Sequence, residues 1–324
     1  MSKDTKDLSN TYRRSDDIFK SIFNEIAKVI VGQSEAVTQI MIAIMCNGHA
    51  LIESNPGLGK TLTISTMSRI MNLKFNRIQC TPDLMPSDIT GTYVVEERGG
   101  AKEFRFEPGP VFTNILLADE INRASPKTQS ALLESMQEEQ VTVGNITYPL
   151  DKPFFVLATQ NPIEMEGTFP LPEAQLDRFL LKIILDYPSS KEESEIVNRY
   201  TGNVMPEVNK IITKDEVLQL QKLTRDVPIS DELKKKVINI VGQTRVDKEY
   251  IEYGASPRAS IGLILASKAK ALICGRNFVS EEDIQVMVYP VLRHRIILNF
   301  ESQRKGITHD QVINSILNHS KHLS

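Results

Sequence analysis

The stretch Ser54-Asn55-Pro56-Gly57-Leu58-Gly59-Lys60-Thr61 lies between an apolar run at 50–53 and a helix-like segment at 62–71 that Leu62 opens. Strand, tight loop and helix in that order form the setting in which backbone amides cradle phosphates. Gly57 and Gly59 let successive N–H groups turn inward, and the N-terminus of the following helix adds partial positive charge. Lys60 can reach the β- and γ-phosphates of a nucleoside triphosphate, and the Thr61 hydroxyl can hold Mg²⁺. The pattern GxxxxGK[ST] asks for glycine at position 54, where this chain has Ser54. A side chain there is expected to narrow the backbone angles open to the first turn of the loop.

A second motif weighs against a plain glycine-rich turn. Asn114-Ile115-Leu116-Leu117-Ala118-Asp119-Glu120 is an apolar strand that ends in two carboxylates. Adjacent residues at a strand end leave in different directions, so Asp119 is assigned to the metal and Glu120 to polarising the attacking water. A third apolar strand ends abruptly in Thr159-Gln160-Asn161-Pro162. Asn161 can donate one hydrogen bond to a γ-phosphate or water and accept another; Asn-Pro is equally an ordinary turn signal.

Outward from these motifs the chain divides into two kinds of pattern. Apolar runs at 50–53, 75–80, 114–119, 154–159 and 179–185 alternate with helical segments, as α/β units around a parallel sheet do. Three are dense in Ile, Leu, Val or Phe rather than alternating, as strands covered on both faces are. Before the first strand, Val37, Ile40, Met41, Ile44 and Met45 share one helical face. After Tyr187-Pro188 the segments 191–200, 214–225, 231–246, 256–274 and 280–299 read as helices, with no convincing strand between them. Residues 1–17 are expected to form a flexible polar tail, 18–187 an α/β body, and 188–324 a linker and a small all-α domain.

Composition narrows the function class. The 324 residues carry 38 Lys+Arg against 41 Asp+Glu, a net charge of −3, which argues against a generally basic nucleic-acid or membrane-surface protein. Cys46, Cys80 and Cys274 fit no disulfide framework or metal-ligand spacing; they read as buried small residues of a protein in a reducing cytosol. The N-terminal segment lacks the apolar core of a secretory signal. The apolar run at 40–46 is too short to cross a bilayer, so a soluble cytoplasmic protein is expected.

Two further arginines differ in setting. Ser256-Pro257-Arg258 reads as an N-cap followed by the first two helical positions. A cation in a first helical turn opposes the macrodipole, by about 0.3–1 kcal/mol, unless an anion completes the site. Arg178, in Leu176-Asp177-Arg178-Phe179, follows a Pro-rich loop at the start of the fifth strand, where a guanidinium can act on a neighbour's phosphate or pair locally with Asp177 or Glu173. Arg123 is a second candidate for an intersubunit contact.

Taken in order, these motifs resemble those of AAA+ ATPases, and more narrowly those of the MoxR family, over roughly residues 20–300. The resemblance rests on 55–61, on Asp119-Glu120-Ile121-Asn122-Arg123-Ala124, on 158–162, on 171–179 and on Ala255-Ser256-Pro257-Arg258-Ala259. It implies an αβα sandwich around a parallel sheet with a small C-terminal all-α lid, binding ATP and Mg²⁺ and assembling into a ring, usually a hexamer. By carry-over Asn161 is the polar sensor, Arg178 the arginine finger acting on the adjoining subunit, and Arg258 the lid sensor arginine. Val31-Gly32-Gln33 matches the segment beside the adenine. Hairpins at 92–106, with Glu97-Arg98-Gly99-Gly100 at the turn, and at 140–148, with Gly144-Asn145, resemble inserts that face the ring pore. Such relatives act in chaperone-like assembly, activation or metal insertion on protein clients, often beside a partner with a von Willebrand factor A domain.

Two other readings compete. A ring-forming nucleic-acid motor has similar hairpins, but Glu96, Glu97 and Glu103 are interleaved with Arg98, Lys102 and Arg105, which disfavours tracking a polyanion. A nucleotide-gated scaffold that hardly turns ATP over fits less well, because the water-polarising Glu120 is present. His319 and His322 read as a solvated pair in the tail, without a metal-ligand cluster around them.

Overall fold

Two helices, α1 (Lys3–Val29) and α2 (Ser34–Met45), precede the first strand. The computed structural model describes residues 3–98, 101–162, 167–202 and 206–321. The expected tail over 1–17 is, from Lys3 onward, the first part of α1. Ser15 is already buried, its hydroxyl donating to Tyr12 O at 2.7 Å. Further along, Phe19, Ile22, Ile26 and Val29 enter the core at helical spacing. The charge density of residues 3–17 hid the start of this helix from sequence reading. In α2 the five residues expected on one face are all buried, as are Ile42 and Ala43 between them.

The body then runs β1 (Ala50–Ser54), α3 (Lys60–Ile70), β2 (Phe75–Gln79), α4 (Pro86–Thr90), β3 (Gly91–Arg98), β4 (Ala101–Pro108) and β5 (Ile115–Asp119). It continues with α5 (Pro126–Glu138), β6 (Gln140–Val143), β7 (Ile146–Pro149), β8 (Phe155–Gln160), α6 (Glu173–Leu176) and β9 (Leu181–Leu185). Five strands form one parallel sheet in the order β2-β5-β8-β1-β9. Alternate residues supply its two faces: Ile52, Leu117 and Leu157 join the core shared with α1–α3, and Leu51, Leu116 and Val156 join the core under α5. Both faces are covered over β1, β5 and β8, which read as continuous apolar runs, whereas the edge strands β2 and β9 leave Arg77, Gln79 and Ile184 exposed.

The two expected hairpins are present. In β3/β4, Val95 pairs with Phe104 and Arg98 with Ala101; the turn at Gly99-Gly100 lies outside the described residues. In β6/β7, Gly144 sits at φ 60° in the turn. The hairpins meet through Phe106 and Tyr148, whose rings stack at 4.3 Å, and through a 2.8 Å hydrogen bond between the Tyr93 and Tyr148 hydroxyls.

The C-terminal part comprises α7 (Ser190–Tyr200), α8 (Lys214–Asp226), α9 (Asp231–Val246), β10 (Ile251–Tyr253), α10 (Pro257–Ile273), α11 (Glu281–Leu292), β11 (Ile297–Leu298), α12 (Phe300–Arg304) and α13 (His309–Lys321). Capping boxes start α7, α8 and α11, where Ser189, Thr213 and Ser280 accept from the third helical N–H. The helix expected over 280–299 stops at Leu292, and β11 pairs antiparallel with β10. Strands this short leave no period for sequence reading to find. Cys46 and Cys80 are buried as expected, but Cys274, just past the end of α10, is exposed. His322 lies outside the described residues, and no described helix is long and apolar enough to cross a membrane.

Candidate ATP site and intersubunit face

The register of the sheet brings three motifs to one edge. Glu53 pairs with Gln160, and Ala118 with Ala158, so the loop after β1, the acidic pair after β5 and Asn161 after β8 leave neighbouring strands side by side. Ser54 is the last residue of β1, paired with Leu185 and buried, with no left-handed backbone. The expected constraint at the missing glycine therefore does not arise, because an extended strand residue takes any side chain. The conformations that need glycine fall at Gly57, φ 81°, and Gly59, φ 75°.

Lys60 Nζ lies 3.5 Å from Asn55 O, which accepts its hydrogen bond. Burial lowers the Lys60 pKa, and the carboxylates of Asp119 and Glu120 pull it back up. Asp119 is held on both oxygens: the Thr159 hydroxyl donates to Oδ1 at 2.7 Å, and Arg77 Nη2 donates to Oδ2 at 2.6 Å. The same Thr159 Oγ1 accepts from the Glu120 N–H at 2.8 Å. Glu120 adopts φ 56°, uncommon for a residue with a side chain. Gln79 Nε2 donates to Glu120 Oε2 at 2.9 Å, and Arg123 Nη1 donates to the same oxygen at 3.1 Å. Arg123, the second candidate for an intersubunit contact, donates to Glu120 of its own chain. Thr61 and Asp119 offer only oxygen donors, the set that suits Mg²⁺.

The adenine-side segment is also assembled. Gly32 and Gln33 take φ 67° and 55°, and Gln33 Nε2 donates to Leu58 O at 3.0 Å. A Cβ on Gly32 would lie 2.5 Å from Glu192 Oε1, so only glycine fits without a shift of that side chain. Val31, Gln33, Leu58 and Leu62 line a mostly apolar cavity together with Ile196 and Tyr200 of α7. Tyr200, whose hydroxyl donates to Val29 O at 2.7 Å, escaped sequence reading, as did Arg77, Gln79 and Thr159. The sequence signal for the last three was position toward the ends of β2 and β8, legible once strand order is known.

Arg178 and Arg258 do not join this edge. Both line a cavity of about 310 Å³ with Gly48 and His49, which precede β1, whereas the phosphate loop follows it. Five strand residues at about 3.3 Å each separate the two ends. Arg178 Nη1 donates to Leu133 O at 3.0 Å. Arg258 Nη1 lies 3.6 Å from Asp177 Oδ2, which also accepts from the Ser256 hydroxyl at 2.9 Å. Arg258 was expected in the nucleotide site; in its own chain it instead stands beside Arg178 at the opposite end of the sheet.

Comparison with known proteins agrees with this architecture. A family model described as ATPase family associated with various cellular activities (AAA) matches residues 49–181, and one described as AAA lid domain matches 243–316. The chain is 44% identical over 306 residues to the protein named Chaperone MoxR1 of Mycobacterium tuberculosis, covering 92% of this chain and 80% of that one. It is 42% identical over 293 residues to the uncharacterized protein YeaC of Bacillus subtilis, covering 90% and 91%. A crystal structure from Cytophaga hutchinsonii, described as a candidate ATPase, superposes with a TM-score of 0.90 at 46% identity, covering 98% of this chain and 97% of that one. The chain belongs to the MoxR family of AAA+ ATPases.

Proposed function

We propose that this protein hydrolyses ATP to ADP and phosphate in a ring of identical subunits and works on protein clients rather than on nucleic acid. The observation that carries the reading is the convergence of Lys60, Asp119, Glu120 and Asn161 at one sheet edge while Arg178 and Arg258 share the opposite end. The apolar cavity beside α7 takes the adenine, and the N–H groups of the loop and of the start of α3 hold the phosphates. Thr61 and Asp119 would hold Mg²⁺, which when bound offsets charge on the β- and γ-phosphates. Glu120 orients and deprotonates the water that attacks the γ-phosphorus, and Lys60 and Asn161 stabilise the charge that spreads over its oxygens.

Arg178 and Arg258 cannot complete this site within one chain at the separation described above. In a closed ring, usually of six, the end of the sheet that carries them meets the phosphate edge of the next subunit, so both act in trans. Client work is favoured by the β3/β4 hairpin. Val95 and Phe104, directly paired, are 56% and 77% exposed, while Arg105 is ion-paired with Glu96 at 3.6 Å. That surface suits apolar polypeptide better than a phosphate backbone. A partner with a von Willebrand factor A domain, which the MoxR resemblance implies, belongs to the same proposal, as does action in the cytoplasm.

A Glu120→Gln variant loaded with ATP tests the reading. It should retain ATP, remain assembled and hold client or partner proteins that Lys60→Ala does not. Equal retention by both variants would contradict nucleotide-driven client binding.

A further inference from the structure

The cavity that holds Arg178 and Arg258 also holds two arginines from elsewhere in the chain, Arg225 at the end of α8 and Arg295 beyond α11. Their charges are not balanced equally. Arg295 is buried, donating through Nε to Asp177 Oδ1 at 2.8 Å and through Nη2 to Phe179 O at 2.6 Å. Arg258 shares the other oxygen of Asp177. Glu139, the second carboxylate of the cavity, is engaged by Lys152 at 2.5 Å and by Asn47 Nδ2 at 2.9 Å. Among the described residues Arg178 has only a backbone carbonyl as partner, and the exposed Arg225 guanidinium has no hydrogen bond or ion pair.

Two guanidinium groups without carboxylates, beside a third that shares one, make a concave site for an oxyanion with several charges. Arg225 has no structural duty that would fix it there. α8 is anchored by other groups, namely Gln221 Nε2 donating to Ile44 O at 2.7 Å, the Arg225 carbonyl accepting from Lys268 at 2.6 Å, and the buried Val217 and Leu220. The carbonyl contact needs no arginine side chain. We propose that Arg225 is a third trans arginine, contacting the phosphate chain of the nucleotide bound by the adjoining subunit. This rests on the ring reading given above. It joins a residue of the helical domain's first long helix to the neighbour's phosphates, so nucleotide state reaches α8 as well as α10.

Arg225→Ala should lower kcat for ATP by roughly tenfold or more in the assembled protein, with Arg225→Lys intermediate. Mixing Arg225→Ala with Lys60→Ala subunits should restore turnover at junctions where an intact Arg225 faces an intact phosphate loop, as Arg178→Ala mixed with Lys60→Ala should. Wild-type turnover by Arg225→Ala would overturn the assignment. So would loss of turnover without restoration in mixtures where Arg178→Ala is restored, since Arg225 would then act within its own chain. Absence of restoration for both would instead refute the ring reading on which this rests. A free polyphosphate in the same cavity would show as Arg225-dependent protection of Lys60→Ala against heat by tripolyphosphate, again without restoration on mixing, and that result too would overturn it.

Discussion

Asp177 and Arg295 join the sheet body to the helical domain through a buried ion pair, Nε to Oδ1 at 2.8 Å, with the arginine side chain only 3% exposed. Burial lowers the Arg295 pKa, and Asp177 opposes that shift by its hydrogen bond and its charge. Since Asp177 also receives Ser256 and Arg258, one carboxylate sets the start of α10 against the residue that precedes Arg178.

Removing that carboxylate leaves a buried cation without its counter-charge. Asp177→Asn should destabilise the fold by about 3 kcal/mol, read as a lower urea midpoint. Arg295→Met, which removes the charge as well, should lose less.

Thr159 ties the Asp119 carboxylate to the Glu120 backbone, donating to Asp119 and accepting from the Glu120 N–H. Thr159→Val keeps the shape and breaks both bonds, so kcat should fall by roughly tenfold or more, while Thr159→Ser should retain most of it. Steady-state ATPase rates at saturating ATP measure this.

Arg77 occupies Asp119 Oδ2, an oxygen that a divalent cation would use. The Arg77 side chain is 45% exposed, so the pair is a weak competitor. Arg77→Ala should bind Mn²⁺ tighter by roughly two- to fivefold, measured by the free-ion paramagnetic resonance signal in the presence of ADP. Unchanged or weaker Mn²⁺ binding would show that Arg77 supports the site rather than competing for it.

His49 and His294 are buried, and burial lowers the pKa of each. His49 Nδ1 accepts from the Val156 N–H at 3.1 Å and its Nε2 lies 2.9 Å from Met136 O, an arrangement that the neutral ring satisfies. The unfolded chain takes up protons on both below about pH 6.5 while the folded chain resists doing so. The stability they contribute is therefore present above that pH and is lost as pH falls. The urea midpoint should drop between pH 7.5 and pH 5.5; a flat profile across that interval would contradict neutral buried rings.

The parts legible in the sequence were those with a local cause. The five runs marked as strands became the five parallel strands, and the loop and acidic pair needed only the residues on either side of them to be read. What stayed hidden depends on contacts between distant segments. Thr159 acquires its place only when β8 lies between β5 and β1. Ser54 departs from a consensus, yet its strand geometry makes the departure harmless. Arg258 carried a correct local signal, an N-capped helix start, but no sequence period tells which end of the sheet that helix start meets.

The most direct test of the account compares ATP binding and turnover in the assembled wild-type protein, Glu120→Gln and Lys60→Ala. The account predicts that Glu120→Gln binds ATP like the wild type but turns it over at least about a hundredfold more slowly, and that Lys60→Ala fails to bind it. Hydrolysis by Glu120→Gln at the wild-type rate would contradict it, because the Glu120 carboxylate would then have no part in the reaction.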